Sequence, residues 1–280
     1  MNRRKNKRHQ KKIQKNIMSI VSIAIQKGGS GKTTTAINLA AALHQHGKKV
    51  LLFDADPQAS LSEALGIIDE PEKNLFTELS KEIKGESGDL SNIVVQTKSG
   101  LPLVPSSIEL AGAELELVSV YGREQVFSWM LEKLSGQYDF ILIDCPPAIG
   151  MLTVNALVAS DFILMPVQAE FLPLKGLRSF MHHFKNIKKL NKKLAVLGFV
   201  LTRYDERKTM NRQIFHVLEQ EFSDKVFQTR IRNNIQLAKA QEAGIDIFHF
   251  DKHSHGAQDY EMLAKEFLVK IEGAKTNSSN

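Results

Sequence analysis

Residues 20–35 read Ile20-Val21-Ser22-Ile23-Ala24-Ile25-Gln26-Lys27-Gly28-Gly29-Ser30-Gly31-Lys32-Thr33-Thr34-Thr35. A mostly apolar run, Ile20–Ile25, reads as a buried strand and delivers the chain into a glycine-rich turn. Such a turn lets successive backbone N–H groups converge on phosphate oxygens. Gly28, Gly29, Ser30, Gly31, Lys32, Thr33 and Thr34 form the cradle. Lys32 is placed to reach the β- and γ-phosphates, and the Thr33 hydroxyl to ligate Mg²⁺. The helix that opens near Lys32 adds its positive end. One lysine is enough for a phosphate loop, so Lys27, five residues ahead of Lys32, calls for a separate task.

Around this loop lies a chain of 280 residues, enough for one large α/β domain with a well-buried core. Cys145 is the single cysteine, which excludes an intrachain disulfide and a cysteine-rich metal site and fits a reducing cytoplasm. No stretch approaches the ~20 apolar residues that span a bilayer, and the basic start lacks the apolar core of a secretory signal. The net charge of +6 is unevenly spread. Residues 1–15 hold eight of the 37 cations and no acid, so the other 29 cations face 31 acids. The first acid in the chain is Asp54.

Composition divides the chain into a disordered basic tail over 1–16, one phosphate-loop domain over 17–272 and a frayed end over 273–280. Within the domain, apolar runs at 19–25, 49–53, 101–104, 140–143, 162–166 and 194–201 predict strands. Helices are expected over 33–46, through the region up to about Ser80, and over 107–118, 123–134, 173–191, 210–222, 234–243 and 256–271. Strands alternating with helices make a mainly parallel sheet covered on both faces, the α/β architecture of a P-loop nucleotide hydrolase. Ligands bind at the carboxyl ends of such strands. The loop at Lys27, the pair Asp54/Asp56 and Asp144 all follow predicted strands.

In Leu51-Leu52-Phe53-Asp54-Ala55-Asp56-Pro57-Gln58 two carboxylates alternate with Ala55, so an extended backbone points them the same way. One carboxylate near Mg²⁺ and one near an attacking water suit nucleotide hydrolysis. In Phe140-Ile141-Leu142-Ile143-Asp144-Cys145-Pro146-Pro147 the acid ends a buried strand, where it can hold Mg²⁺ across from the loop threonine. Cys145 reads as a small packing residue.

These segments together resemble the ParA/Soj family of partition ATPases, of the deviant Walker A, MinD/ParA class. The likeness runs through Lys27-Gly28-Gly29-Ser30-Gly31-Lys32-Thr33-Thr34, Asp54-Ala55-Asp56-Pro57-Gln58 and Asp144-Cys145-Pro146-Pro147. It continues in Leu103-Val104-Pro105-Ser106 with Ile108-Glu109-Leu110-Ala111, in Pro166-Val167-Gln168-Ala169-Glu170 and in Ala264-Lys265-Glu266, covering about residues 18–270. The resemblance implies ATP and Mg²⁺ as cofactors and an ATP-dependent homodimer in which Lys27 reaches the partner's phosphates. It implies that Lys32 and Asp56 serve catalysis, Asp56 by positioning the water. Thr33, Asp54 and Asp144 would serve the metal site, and Thr202 and Arg203 would lie near the base. Three positions depart from the family pattern: Ile25 for a frequent Asn, Ala59 for a common Gly, and Gln236 where some relatives carry a DNA-binding Arg.

No acid occurs between Glu170 and Asp205, a stretch containing Lys185, Lys188, Lys189, Lys192 and Lys193; Arg230 and Arg232 lie further on. Charge alone reads as a solvated basic face. The resemblance turns it into a surface for nonspecific DNA, with a ParB-type DNA-bound activator stimulating slow hydrolysis, in a nucleoid-associated cytoplasmic protein that moves a plasmid or chromosome. The basic tail is open to phosphate contacts, partner binding or solubility. The alternatives are ParA-like positioning of another cargo and a MinD-like membrane-associated ATPase. The latter wants a C-terminal amphipathic helix, which Lys270-Ile271-Glu272-Gly273-Ala274-Lys275 does not supply, so no membrane is expected. About 26 residues before the loop are too few for an N-terminal helix-turn-helix domain, which argues against operator-specific binding.

Overall fold

The computed structural model describes residues 18–69, 71–169 and 174–278. The predicted disordered tail over 1–16 lies outside them. In chain order the elements are β1 (Ser19–Ile23), α1 (Lys32–Gln45), β2 (Val50–Asp54), α2 (Ser60–Ala64), α3 (Leu75–Ile83), β3 (Val95–Gln96), β4 (Pro102–Val104), α4 (Leu110–Glu116) and α5 (Val126–Glu132). They continue with β5 (Phe140–Asp144), α6 (Met151–Ala159), β6 (Phe162–Gln168), α7 (Leu174–Leu190), β7 (Ala195–Thr202), α8 (Thr209–Phe222), α9 (Ile235–Glu242), α10 (Ile247–Asp251) and α11 (His255–Ser278).

The strands form one sheet in the order β3-β4-β2-β5-β1-β6-β7, parallel except for the short edge strand β3. This is the doubly covered α/β sheet that the strand–helix alternation predicts. Strand side chains alternate between two cores. Leu51, Phe53, Ile141, Ile143, Ile163 and Met165 pack with α3–α8, while Val50, Leu52, Phe140, Leu142 and Leu164 pack with α1, α2 and α9–α11. Both faces are dry, so the strands read as unbroken apolar runs. The parity has a functional consequence. Asp54 and Asp144 continue the even-numbered set, so both emerge on the α1 side, where the phosphate loop lies.

Four expectations need correction. The helical region up to Ser80 is two helices: Gly66, at a φ of 82°, ends α2, and Asn74 opens α3 in a reciprocal capping box with Thr77. Helix α6 has no polar stripe to betray its period, since it is buried between the sheet and its neighbours. Strand β3 and helix α10 are too short for a periodic signal. The end does not fray at 273: α11 runs to Ser278, because Ile271 is buried and Ala274 packs on the core beneath α1.

Candidate nucleotide site

The phosphate loop leaves β1 at the centre of the sheet and turns into α1 through two left-handed glycines, Gly29 (φ 70°) and Gly31 (φ 90°). Any Cβ there would be strained. The loop is pinned from β7, whose last residue Thr202 donates its hydroxyl to the Ser30 carbonyl at 2.8 Å. Lys32 is buried and its ammonium donates back to the Lys27 carbonyl at 3.3 Å. The Ser30 hydroxyl is buried with no partner among the described residues, inside the cradle that phosphate oxygens would fill. Lys27 points elsewhere: its Nζ donates to Gln168 Oε1, at the end of β6, at 3.0 Å.

Asp144 ends β5 beside the loop, and Thr33 donates its hydroxyl to Asp144 Oδ2 at 2.6 Å. The other oxygen, Oδ1, is buried without a partner among the described residues. Burial, and then the neighbouring Asp54 charge, push the Asp144 carboxyl up to about 8 from an ordinary 3.8. A hydroxyl, an orphaned carboxylate oxygen and a raised pKa are what a hard cation would relieve, so Thr33 and Asp144 fit Mg²⁺.

Asp54 is engaged differently. It is Asp144's register partner on β2, but its Oδ2 accepts from the Ser62 backbone N–H (2.9 Å) and hydroxyl (2.8 Å), and its Oδ1 from the Asp56 N–H at 3.2 Å. Burial raises its carboxyl to about 7. Three of its lone pairs are thus taken by α2 and by the turn that carries Asp56, while Asp144 keeps an oxygen with no partner among the described residues. Nor do Asp54 and Asp56 point alike, because the chain turns after β2. Asp56 is half-buried, its carbonyl takes the Ser106 hydroxyl at 2.7 Å, and its Oδ1 accepts from the Gln58 N–H. Next to it Ala59 sits at φ 51°, where relatives of the expected family often have Gly. An L-residue there is strained by roughly 1 kcal/mol.

Beyond the loop opens a cleft of about 750 Å³. Thr202 and Arg203 line it as expected positions near a base, and Arg203 is left-handed, at φ 51°. Sequence reasoning missed the opposite wall, made by Ile231, Asn233, Ile235, Leu237 and Gln241, and the floor at Tyr260. Tyr260 exchanges a hydrogen bond with Thr35 on α1 at 3.3 Å, and Thr34 donates to Gln241. Asn234, capping α9 through the Gln236 N–H, was the available signal for a helix opening at this cleft.

This geometry sits within known relatives. A family model described as an AAA domain matches residues 18–196. Sporulation initiation inhibitor protein Soj of Bacillus subtilis (strain 168) is 41% identical over 249 residues, spanning 88% of this chain and 97% of that protein. The chain belongs to the ParA/Soj family of ATPases. Chromosome partitioning protein ParA of Caulobacter vibrioides is 38% identical over 258 residues, 91% of this chain and 96% of that one. Among solved structures, cobyrinic acid a,c-diamide synthase from Mycobacterium smegmatis, with a bound ATP analogue and magnesium, is similar with a TM-score of 0.77 at 32% identity, covering 91% and 96% of the two chains.

For a ParA/Soj ATPase the second question is the basic surface, and the seven candidate cations do not form one group. Helix α7 buries Leu177, Phe180, Phe184 and Ile187 and leaves Lys185, Lys188 and Lys189 exposed, followed by exposed Lys192 and Lys193. Because α7 runs back against the strands, its last lysines lie at the amino edge of the sheet, where Asn191 donates to the Leu157, Val158 and Ser160 carbonyls. Arg230 and Arg232 lie near the carboxyl edge, roughly 25 Å away across the eight residues of β7. Arg232 is corrected: its guanidinium is held by Asp259 at 2.6 Å and it lines the nucleotide cleft. Arg230 stacks on Phe215, 3.9 Å from the ring centroid, with its Nε unpartnered among the described residues.

Proposed function

We propose that this chain is an ATP-driven partition switch. Mg²⁺-ATP binds in the cleft, closes a homodimer, and the dimer holds DNA without sequence preference until a ParB-type DNA-bound activator stimulates slow hydrolysis. The observation that carries the reading is the division of labour between the two lysines. Lys32 folds back over its own loop, while Lys27 leans away toward Gln168. Lys27 is thus set apart from Lys32, and on this reading it reaches a second subunit's nucleotide.

Within that cycle each residue has a physical task. Backbone N–H groups of Gly28–Thr34 and the Lys32 ammonium bind the phosphates. Thr33 and Asp144 would hold Mg²⁺, which would screen the phosphate charge. Asp56, on its turn fixed by Asp54 and Ser106, orients the attacking water. Lys27 of the facing subunit adds positive charge where negative charge develops in the transition state. The exposed lysines of α7, with Lys192 and Lys193, neutralise phosphates, and a two-fold dimer doubles that patch.

Partition of a chromosome or plasmid is favoured by the likeness to Soj and ParA along nearly their whole length. On this reading the protein is nucleoid-associated. A MinD-like lipid-binding role finds no support in α11, whose apolar residues Tyr260, Leu263, Phe267 and Ile271 are buried against the domain. No helix among the described residues is long and apolar enough to cross a membrane.

The test is DNA binding measured with ATP, with ADP and without nucleotide over a salt series. Binding confined to the ATP state, weakening steeply with salt, is expected. Equal binding in all three states would refute the switch. Asp56→Ala is expected to retain ATP-dependent dimers while turnover stops.

A further inference from the structure

The contact between Lys27 and Gln168 does more than orient a side chain. Gln168 is the last residue of β6, nearly buried, in register with Thr202 of β7. The strand end behind it is tied down: the Ala169 N–H donates to the Thr202 carbonyl at 3.0 Å, and Asn211 of α8 donates to the Ala169 carbonyl at 2.6 Å. Thr202 in turn grips the phosphate loop at Ser30. Gln168 Oε1 is thus an acceptor on a rigid support, placed 3.0 Å from an ammonium on a flexible four-carbon stem.

We propose that Gln168 is a latch that holds Lys27 in cis and sets the threshold for ATP-dependent dimerisation; this rests on the reading that Lys27 acts across the dimer. One ammonium cannot stay on Gln168 of its own subunit and also reach the phosphates of the facing one. Every closure therefore breaks this bond in both subunits, and whatever free energy the bond contributes opposes assembly. A hydrogen bond to a charged group is worth about tenfold in an equilibrium, so the two broken per dimer shift this one by about a hundredfold. The latch also keeps Lys27 away from the phosphates of its own nucleotide, so the monomer can load ATP without engaging its second lysine.

The experiment follows the monomer–dimer midpoint of the full chain by sedimentation velocity, with a nonhydrolysable ATP analogue and Mg²⁺. Wild type is compared with Gln168→Leu, Gln168→Asn, Gln168→Glu, Lys27→Ala and the double variant Lys27→Ala/Gln168→Leu. Leucine removes the acceptor while keeping the bulk, and asparagine keeps the amide but is one methylene too short. Both are expected to lower the midpoint roughly a hundredfold, with analogue binding to dilute monomer unchanged. Glutamate holds the ammonium more tightly and raises the midpoint, by less at high salt. The double variant behaves as Lys27→Ala, because the latch then has nothing to hold. A midpoint for the leucine and asparagine variants at or above wild type overturns the latch. If instead Lys27→Ala dimerises at the wild-type midpoint, the trans role of Lys27 fails and the latch falls with it. Should the leucine variant misfold, the asparagine and glutamate variants decide by their opposite directions.

Discussion

Without metal, Asp144 is a destabilising residue, and Asp144→Asn should stabilise the protein while destroying its metal site. The folded state raises this carboxyl to about 8, against 3.8 for an ordinary carboxyl, through burial and the Asp54 charge. A raised pKa means that the folded state binds the proton more tightly than the unfolded one. The stability linked to that proton is fully present below pH 3.8 and is lost as pH rises toward 8. At pH 7 the gap of about three units corresponds to about 4 kcal/mol at most. Coupling to Asp54 leaves about 2–4 kcal/mol for Asp144→Asn to recover. In a chain of this size that raises Tm by roughly 5–10 °C. The assay is thermal unfolding in magnesium-free, nucleotide-free buffer from pH 4 to 8, wild type beside variant. The difference should be near zero at pH 4 and grow with pH. On adding Mg²⁺ and an ATP analogue the order should reverse, since wild type alone gains the metal. A pH-independent difference, or a variant less stable than wild type at pH 8 without metal, would refute the account of Asp144 as a buried carboxyl awaiting a cation.

Three further outcomes are expected. Ala59→Gly relieves a left-handed alanine next to the Asp56 turn and should add about 0.5–1 kcal/mol of stability; an unchanged or lower Tm would show that φ 51° carries no strain. Thr202→Val leaves the Ser30 carbonyl without its donor and should cost about 1–3 kcal/mol, visible in thermal unfolding and as weaker nucleotide binding. Replacing Lys188, Lys192 and Lys193 by Glu should flatten the salt dependence of DNA binding and leave unstimulated ATP turnover intact, whereas an unchanged slope would remove the amino-edge lysines from the DNA surface.

Much of the nucleotide site was legible because it is local. The strand, the glycines, Lys32 and Thr33 are consecutive, and backbone geometry converts that order directly into a cradle. The acids were legible as strand-end residues, but their roles were not. Asp54 and Asp144 look equivalent along the chain, each closing an apolar run. Only Ser62, eight residues on, and Thr33, more than a hundred residues away, distinguish them by taking or leaving their lone pairs. The cleft wall at 231–241 escaped notice because it is built from ordinary loop and helix residues with no chemical signature. Arg230 and Arg232 looked like one basic pair, yet the partners they meet differ: one stacks on Phe215 and the other is held by Asp259.

By itself, then, the sequence determined the doubly covered parallel sheet, the phosphate loop and membership of the ParA/Soj class, since these follow from short-range pattern and spacing. The tertiary structure alone decided which carboxylate keeps an oxygen for a cation, which arginine is held in an ion pair, and what Lys27 touches. Those outcomes depend on partners that the sheet order brings together. β1 lies between β5 and β6, so Asp144 and Gln168 flank a loop from which they are separated by more than a hundred residues. Hydrogen-bond satisfaction and desolvation then act on that neighbourhood, which the linear order of the chain does not display.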